Sequence, residues 1–137
     1  MTFAYLASPY SVVQPISEQQ ARVLRDSRYR RVCKMAAKLM KEGKIIFCPI
    51  AHSHPIETIG MPGELQSGDF WLEQDFAILK HASELLVYKM DGWNKSKGVM
   101  REIEFAQEHG IPVNYIENVT IPRGSTREKV KRVMKGK

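Results

Sequence analysis

The sequence predicts a single α/β domain with a mostly parallel sheet of four or five strands held between helices. Three observations carry that expectation. A length of 137 residues suits one domain. Apolar residues make up 43% and charged residues 26%, the ordinary balance of a globular chain with one real core. Short apolar runs alternate with stretches of helical period, the pattern of strands joined by crossover helices.

Each element can be read in turn. Residues 3–7 (FAYLA) form an apolar run closed by Ser8-Pro9, a first strand. Residues 8–16 hold two prolines and small polar groups, hence a loop. Residues 17–42 predict a long helix, because Tyr29, Val32, Cys33, Ala36, Leu39 and Met40 recur at three- and four-residue spacing. Ser17 suits its N-cap and Gly43 its stop. Residues 44–49 (KIIFCP) give a second strand. Residues 50–68 contain Pro55, Gly60, Pro62, Gly63 and Gly68 with little periodicity, and read as a long binding loop. Residues 69–80 predict a helix with Phe70, Trp71, Ala77 and Ile78 on its apolar side. Residues 84–90 (ELLVYKM) give a third strand and 91–97 a polar loop. Residues 98–109 predict a helix with Val99, Ile103 and Ala106 in register, closed by Gly110. Residues 111–115 complete the sheet. The whole reads as a three-layer, Rossmann- or flavodoxin-like sandwich. In such sheets ligands bind beyond the carboxyl ends of the strands, which gathers residues 8–11, 49–56, 91–97 and the turn after the last strand around one site.

Charge divides the chain. Residues 121–137 carry seven Lys or Arg and one Glu, which equals the whole net charge of +6, so residues 1–120 form a neutral body followed by a basic tail or helix. A basic tail offers contact with phosphate or nucleic acid, although a solvated helix or frayed end is the commoner outcome. Cys33 and Cys48 belong to no C-x-x-C pair and read as free buried thiols of a reducing, cytoplasmic compartment. The apolar start lacks the basic residues and cleavage site of a secretory leader, and no apolar run approaches a membrane span.

The familiar phosphate loops are missing, as is the G-x-S-x-G elbow. What remains is S-K-G-V-M-R-E-I-E-F-A, residues 96–106. Ser96 is placed to cap a helix. Gly98 lets a ligand approach the backbone. Glu102 falls in the second turn, where the helix dipole helps keep it ionised. An ionised carboxylate there is able to attack an anomeric carbon. His52 and His54 form an H-x-H pair in the long loop; a metal centre would need a third ligand and none is signalled, so His54 is taken as a substrate contact. Trp71 reads as core, and Trp93, beside Ser96, as a ring that stacks on a base.

The stretch G98-V-M-R-E-I-E-F-A106 resembles the G-T-x-x-E-x-G-x-A signature of the nucleoside 2-deoxyribosyltransferase superfamily. Two further features fall in order. Y5-L-A-S-P-Y10 is similar to the first-strand motif Y-x-A-G-P-[FY], and Asp75 precedes Glu102 by 27 residues, near the spacing of the second acid. The match spans roughly residues 3–115. The chain is also similar to a branch of that superfamily, related to deoxynucleoside 5′-monophosphate N-glycosidases, that carries S-H-P-I (here residues 53–56) and G-W (residues 92–93). It departs from the pattern at Val99 for Thr, at Glu104 for Gly, and at Pro9 and Ser11, where some monophosphate hydrolases have Ser and Arg.

The resemblance implies roles. Glu102 is the nucleophile, Tyr5 orients it, and Asp75 serves the departing base. Ser96 matches a position that is Ser in monophosphate hydrolases and Asp in transferases acting on free nucleosides; a Ser favours a phosphorylated substrate, because an Asp would repel a dianion. Ser8, Pro9, His54, Trp93, Ser96, Gly98 and Arg101 become substrate contacts, with Arg101, Lys95, Lys97 and the tail supplying positive charge. The expected activity is hydrolysis of the N-glycosidic bond of a nucleoside 5′-monophosphate, without metal or organic cofactor, in a homodimer or higher homo-oligomer that completes its site across an interface. Base exchange, non-catalytic nucleotide binding, and nucleic-acid binding through the tail are the competing readings.

Overall fold

The computed structural model describes residues 1–64 and 66–118. The expected basic tail, 121–137, lies outside them. Strand β1 (Ala4–Ala7) leads to helix α1 (Glu18–Lys41), strand β2 (Ile46–Phe47), helix α2 (Pro49–Pro55), helix α3 (Gly68–Leu79), strand β3 (Glu84–Lys89), helix α4 (Lys97–Glu108) and strand β4 (Val113–Glu117). The four strands are all parallel, in the order β2-β1-β3-β4. This is the flavodoxin-like winding, in which chain direction reverses between β1 and β3 and opens a crevice at their carboxyl ends.

Period-two alternation divides the core into two layers. Ala4 and Leu6 of β1, with Leu86 and Tyr88 of β3, pack on Val32, Ala36 and Leu39 of α1. Tyr5 and Ala7, with Leu85 and Val87, face Leu79 of α3 and Val99 and Ala106 of α4. Tyr5 thus points towards the layer that contains α4. Both cysteines are free, Cys33 half-buried and Cys48 buried. No helix among the described residues is long and apolar enough to cross a membrane.

Local chemistry sets the helix boundaries. Ser17 and Gln20 cap α1 reciprocally, with both bonds at 3.1 Å. Gly43, at φ 97°, stops it in a conformation that favours glycine. Ser67 and Ser96 cap α3 and α4, accepting from Phe70 N and Val99 N at 3.2 Å each.

Two expectations need correction. Residues 50–68 are not one loop: Pro49 starts α2 at a position where its missing N–H costs nothing. At Pro55 the helix widens into a π turn, Ile56–Gly60, because proline supplies no N–H to the regular ladder. The buried face of α3 is also not the one its apolar residues suggest. Leu72, Asp75 and Leu79 point inward while Phe70 is 38% exposed; a carboxylate occupies a core position and masks the period.

Candidate active site

A cavity of about 410 Å³ opens beyond the carboxyl ends of β1 and β2, against the start of α4, a size typical of small-molecule sites. The loop after β1 contributes Ser8, Tyr10 and Ser11, and α2 with its π turn contributes Ser53 and Glu57. Helix α3 adds Trp71 and Asp75, and the start of α4 adds Ser96, Gly98, Arg101 and Glu102.

Glu102 is 5% exposed and accepts a hydrogen bond from the Tyr5 hydroxyl, itself fully buried. Asp75 is 8% exposed on the facing helix. Burial pushes Glu102 up to about 8, opposed by the Tyr5 bond and reinforced by the nearby Asp75 charge. Burial likewise pushes Asp75 up to about 7. With values of about 7 and about 8, the two carboxyls together hold about one proton just above neutrality. The Tyr5 hydroxyl stays protonated, its ionisation driven upward by burial and by both carboxylates. One carboxylate, one carboxylic acid and one neutral donor at one pocket wall can perform nucleophilic and acid–base chemistry on a neutral or cationic centre.

Ser96 accepts the cap bond from Val99 N, which leaves its hydroxyl proton free to donate into the cavity. The Ser8 hydroxyl is buried and makes no hydrogen bond among the described residues. A Cβ built on Gly98 would meet only Ser96 Oγ, at 3.8 Å. Its bareness therefore leaves room for what enters the cavity, not for protein packing. Arg101 lines the cavity while pairing with Asp69.

Three expected contacts lie elsewhere. Pro9 is fully buried behind the cavity wall. His54 stacks on Tyr29 with ring centroids 4.1 Å apart, and its Nδ1 lies 2.6 Å from the Tyr10 hydroxyl; the helical turn of α2 directs it towards α1, so it backs Tyr10 and does not face the cavity. His52 turns away against Phe47. Trp93 follows Gly92, at φ 88°, in a short 3-10 turn (Trp93–Lys95) and packs edge-on to Tyr115 beneath Lys89. Lys95 lines a second cavity with Arg28 and Arg31.

Conversely, Trp71, read as core, lines the cavity and donates to Glu57 at 2.7 Å. Arg28 is 7% exposed on α1 and donates to Ser11 O at 2.7 Å, Tyr10 O at 3.3 Å and Asp91 O at 3.5 Å. It ties the loop after β1 to the turn after β3, and so holds one lip of the cavity. Its sequence signal was a charged residue seven positions after Ala21 and four before Val32, on the buried stripe of α1.

Residues 2–118 match a family described as a domain of unknown function, DUF1937. No curated protein matches the chain.

Proposed function

We propose that this chain, which belongs to the DUF1937 family, hydrolyses the N-glycosidic bond of a ribo- or deoxyribonucleoside 5′-monophosphate. The observation that carries the reading is the buried Glu102 carboxyl, held by Tyr5 and facing Asp75 at a cavity wall. The motif resemblance assigns these same three residues to the nucleophile, its orienting tyrosine and the acid serving the base, so two independent lines converge.

In the reactive state the pair's single proton sits on Asp75 and the anion on Glu102. Positive charge building at the anomeric carbon draws the anion to the carboxylate that Tyr5 steadies. Glu102 attacks that carbon as the carbon–nitrogen bond breaks, and the bonding pair leaves with the base, which takes the proton of Asp75. Water then attacks the same carbon of the glycosyl ester and gives its proton to Asp75. The carbon–oxygen bond to Glu102 breaks, releasing sugar phosphate with retained configuration. Ser96 and Ser8 provide neutral hydroxyls for the phosphate, at the capped N-terminus of α4, and Lys97 and Arg101 provide charge at the rim. The protein acts as a homodimer in this reading.

The test is chromatography of ribo- and deoxyribonucleoside 5′-monophosphates, and of the free nucleosides, after incubation with the protein, with and without an acceptor base. Release of free base from a monophosphate that disappears in Glu102→Gln is the expected result. Exchange onto the acceptor would make the enzyme a transferase. Folded protein that releases and exchanges nothing would refute the glycosidase reading.

A further inference from the structure

The hydrolysis uses Glu102, Asp75 and Tyr5, and leaves a third buried carboxylate of the same cavity without a role. Glu57 is 7% exposed in the π turn after α2 and lines the cavity. Its Oε2 accepts from Trp71 Nε1 at 2.7 Å and from Gln66 N at 3.4 Å. Both bonds fall on one oxygen, and among the described residues no cation pairs with Glu57. A carboxylate buried without a cation is costly unless donors reach it. Here Oε2 is anchored by an indole, and Oε1, with both its lone pairs, is left for donors from the cavity.

The neighbours of Glu57 sharpen its chemistry. His54 Nε2 lies 3.7 Å from Asp26 Oδ1. With the ring proton directed there, Nδ1 accepts from the Tyr10 hydroxyl, and burial keeps the imidazole neutral by lowering its pKa. The Tyr10 oxygen is then a further acceptor on the cavity wall. Arg25, its side chain 12% exposed and one nitrogen 2.7 Å from Glu18, lines the cavity too. Glu57 and Arg25 both act electrostatically on Tyr10, so the three form one group.

We infer that this group reads the pairing edge of the leaving base, with Glu57 accepting two adjacent N–H donors, and that the preferred base is therefore a 2-amino-6-oxopurine of the guanine type. The inference rests on the glycosidase reading for the word "leaving". A carboxylate matches the ring N–H and exocyclic amine of guanine side by side, and Arg25 has donors for the neighbouring carbonyl. Adenine and cytosine place a bare ring nitrogen next to the amine, which a carboxylate repels. Uracil and thymine flank a single N–H with carbonyl oxygens. Hypoxanthine keeps the ring N–H but lacks the amine.

Calorimetric titration of the Glu102→Gln chain with the five 5′-monophosphates of guanine, hypoxanthine, adenine, cytosine and uracil, in ribo and deoxy forms, tests this. The guanine nucleotide is expected to bind about 10- to 100-fold more tightly than the hypoxanthine nucleotide, the range for a hydrogen bond to a charged group. Adding Glu57→Gln should erase that ratio. Equal binding of the two, a ratio that survives Glu57→Gln, preference for another base, or no binding of any nucleotide would overturn the inference. Should Glu57→Gln fail to fold, the guanine-to-hypoxanthine ratio on the protein with Glu57 intact decides alone. Base release by the wild-type chain judges the glycosidase reading separately: release of another base with Glu57→Gln unaffected would sink the inference and keep the enzyme.

Discussion

Glu102 and Asp75 work against the stability of the fold that holds them. Burial raises both, to about 8 and about 7, so the native state binds protons more tightly than the unfolded chain. For such a group the favourable contribution is full below the unfolded value near 4, and is lost as pH rises through the folded value. Glu102→Gln removes the titration. The variant should melt at nearly the wild-type temperature at pH 4 and several degrees higher at pH 9, reflecting a few kcal/mol; a difference that does not grow between those pH values would argue that Glu102 is not held protonated by burial. Activity should follow the one-proton state of the pair. Below about 7 the pair takes up its second proton and above about 8 it loses its last, so kcat/KM against pH should be a narrow bell.

Among the elements, helices place charged side chains at positions that geometry reserves for core. On α4 the buried residues are Val99, Glu102 and Ala106; on α3 they are Leu72, Asp75 and Leu79; on α1, Arg28 shares the stripe of Val32 and Ala36. A charged residue in an apolar stripe is a readable sign, and on α4 the surrounding motif draws attention to it. On α3 the same sign is masked by Phe70, which is exposed, and Trp71, which lines the cavity. Gly98 gives an element-level test. Alanine in the first turn of α4 clashes with nothing, the nearest atom being 3.8 Å away, and is the better helix former by about 1 kcal/mol. Gly98→Ala should therefore keep or raise the melting temperature while raising KM at least several-fold. A fall in stability with unchanged KM would show that the glycine serves packing and not the ligand.

At the scale of the whole molecule, the sheet separates the core layer against α1 from the layer that holds Glu102 and Asp75. Leu6 is fully buried in the layer against α1, while Tyr5 beside it faces the α4 layer, where its hydroxyl donates to Glu102. Leu6→Ala should cost about 2–5 kcal/mol, measured by denaturant unfolding, and leave KM unchanged at temperatures where the variant is folded. An altered KM would mean that the α1 layer transmits to the site, with the Arg28 clamp on Tyr10 and Ser11 as the evident route.

The sequence by itself determined the alternation of strand and helix, the caps at Ser17 and Ser96, and the three-layer class, because periodicity and capping are local and each is written within a few residues. It also singled out Tyr5, Asp75 and Glu102, since a motif preserves order along a chain. Only the tertiary structure decided which side chains share a cavity. His54 and Trp93 sit in the right segments, yet helix phase and a left-handed glycine turn them towards α1 and β4. Glu57, Trp71 and Arg25 come from three separate elements. Their convergence depends on α1 and α3, from opposite faces of the sheet, meeting the π turn after α2 beyond the strand ends, a relation between distant residues that no local pattern encodes.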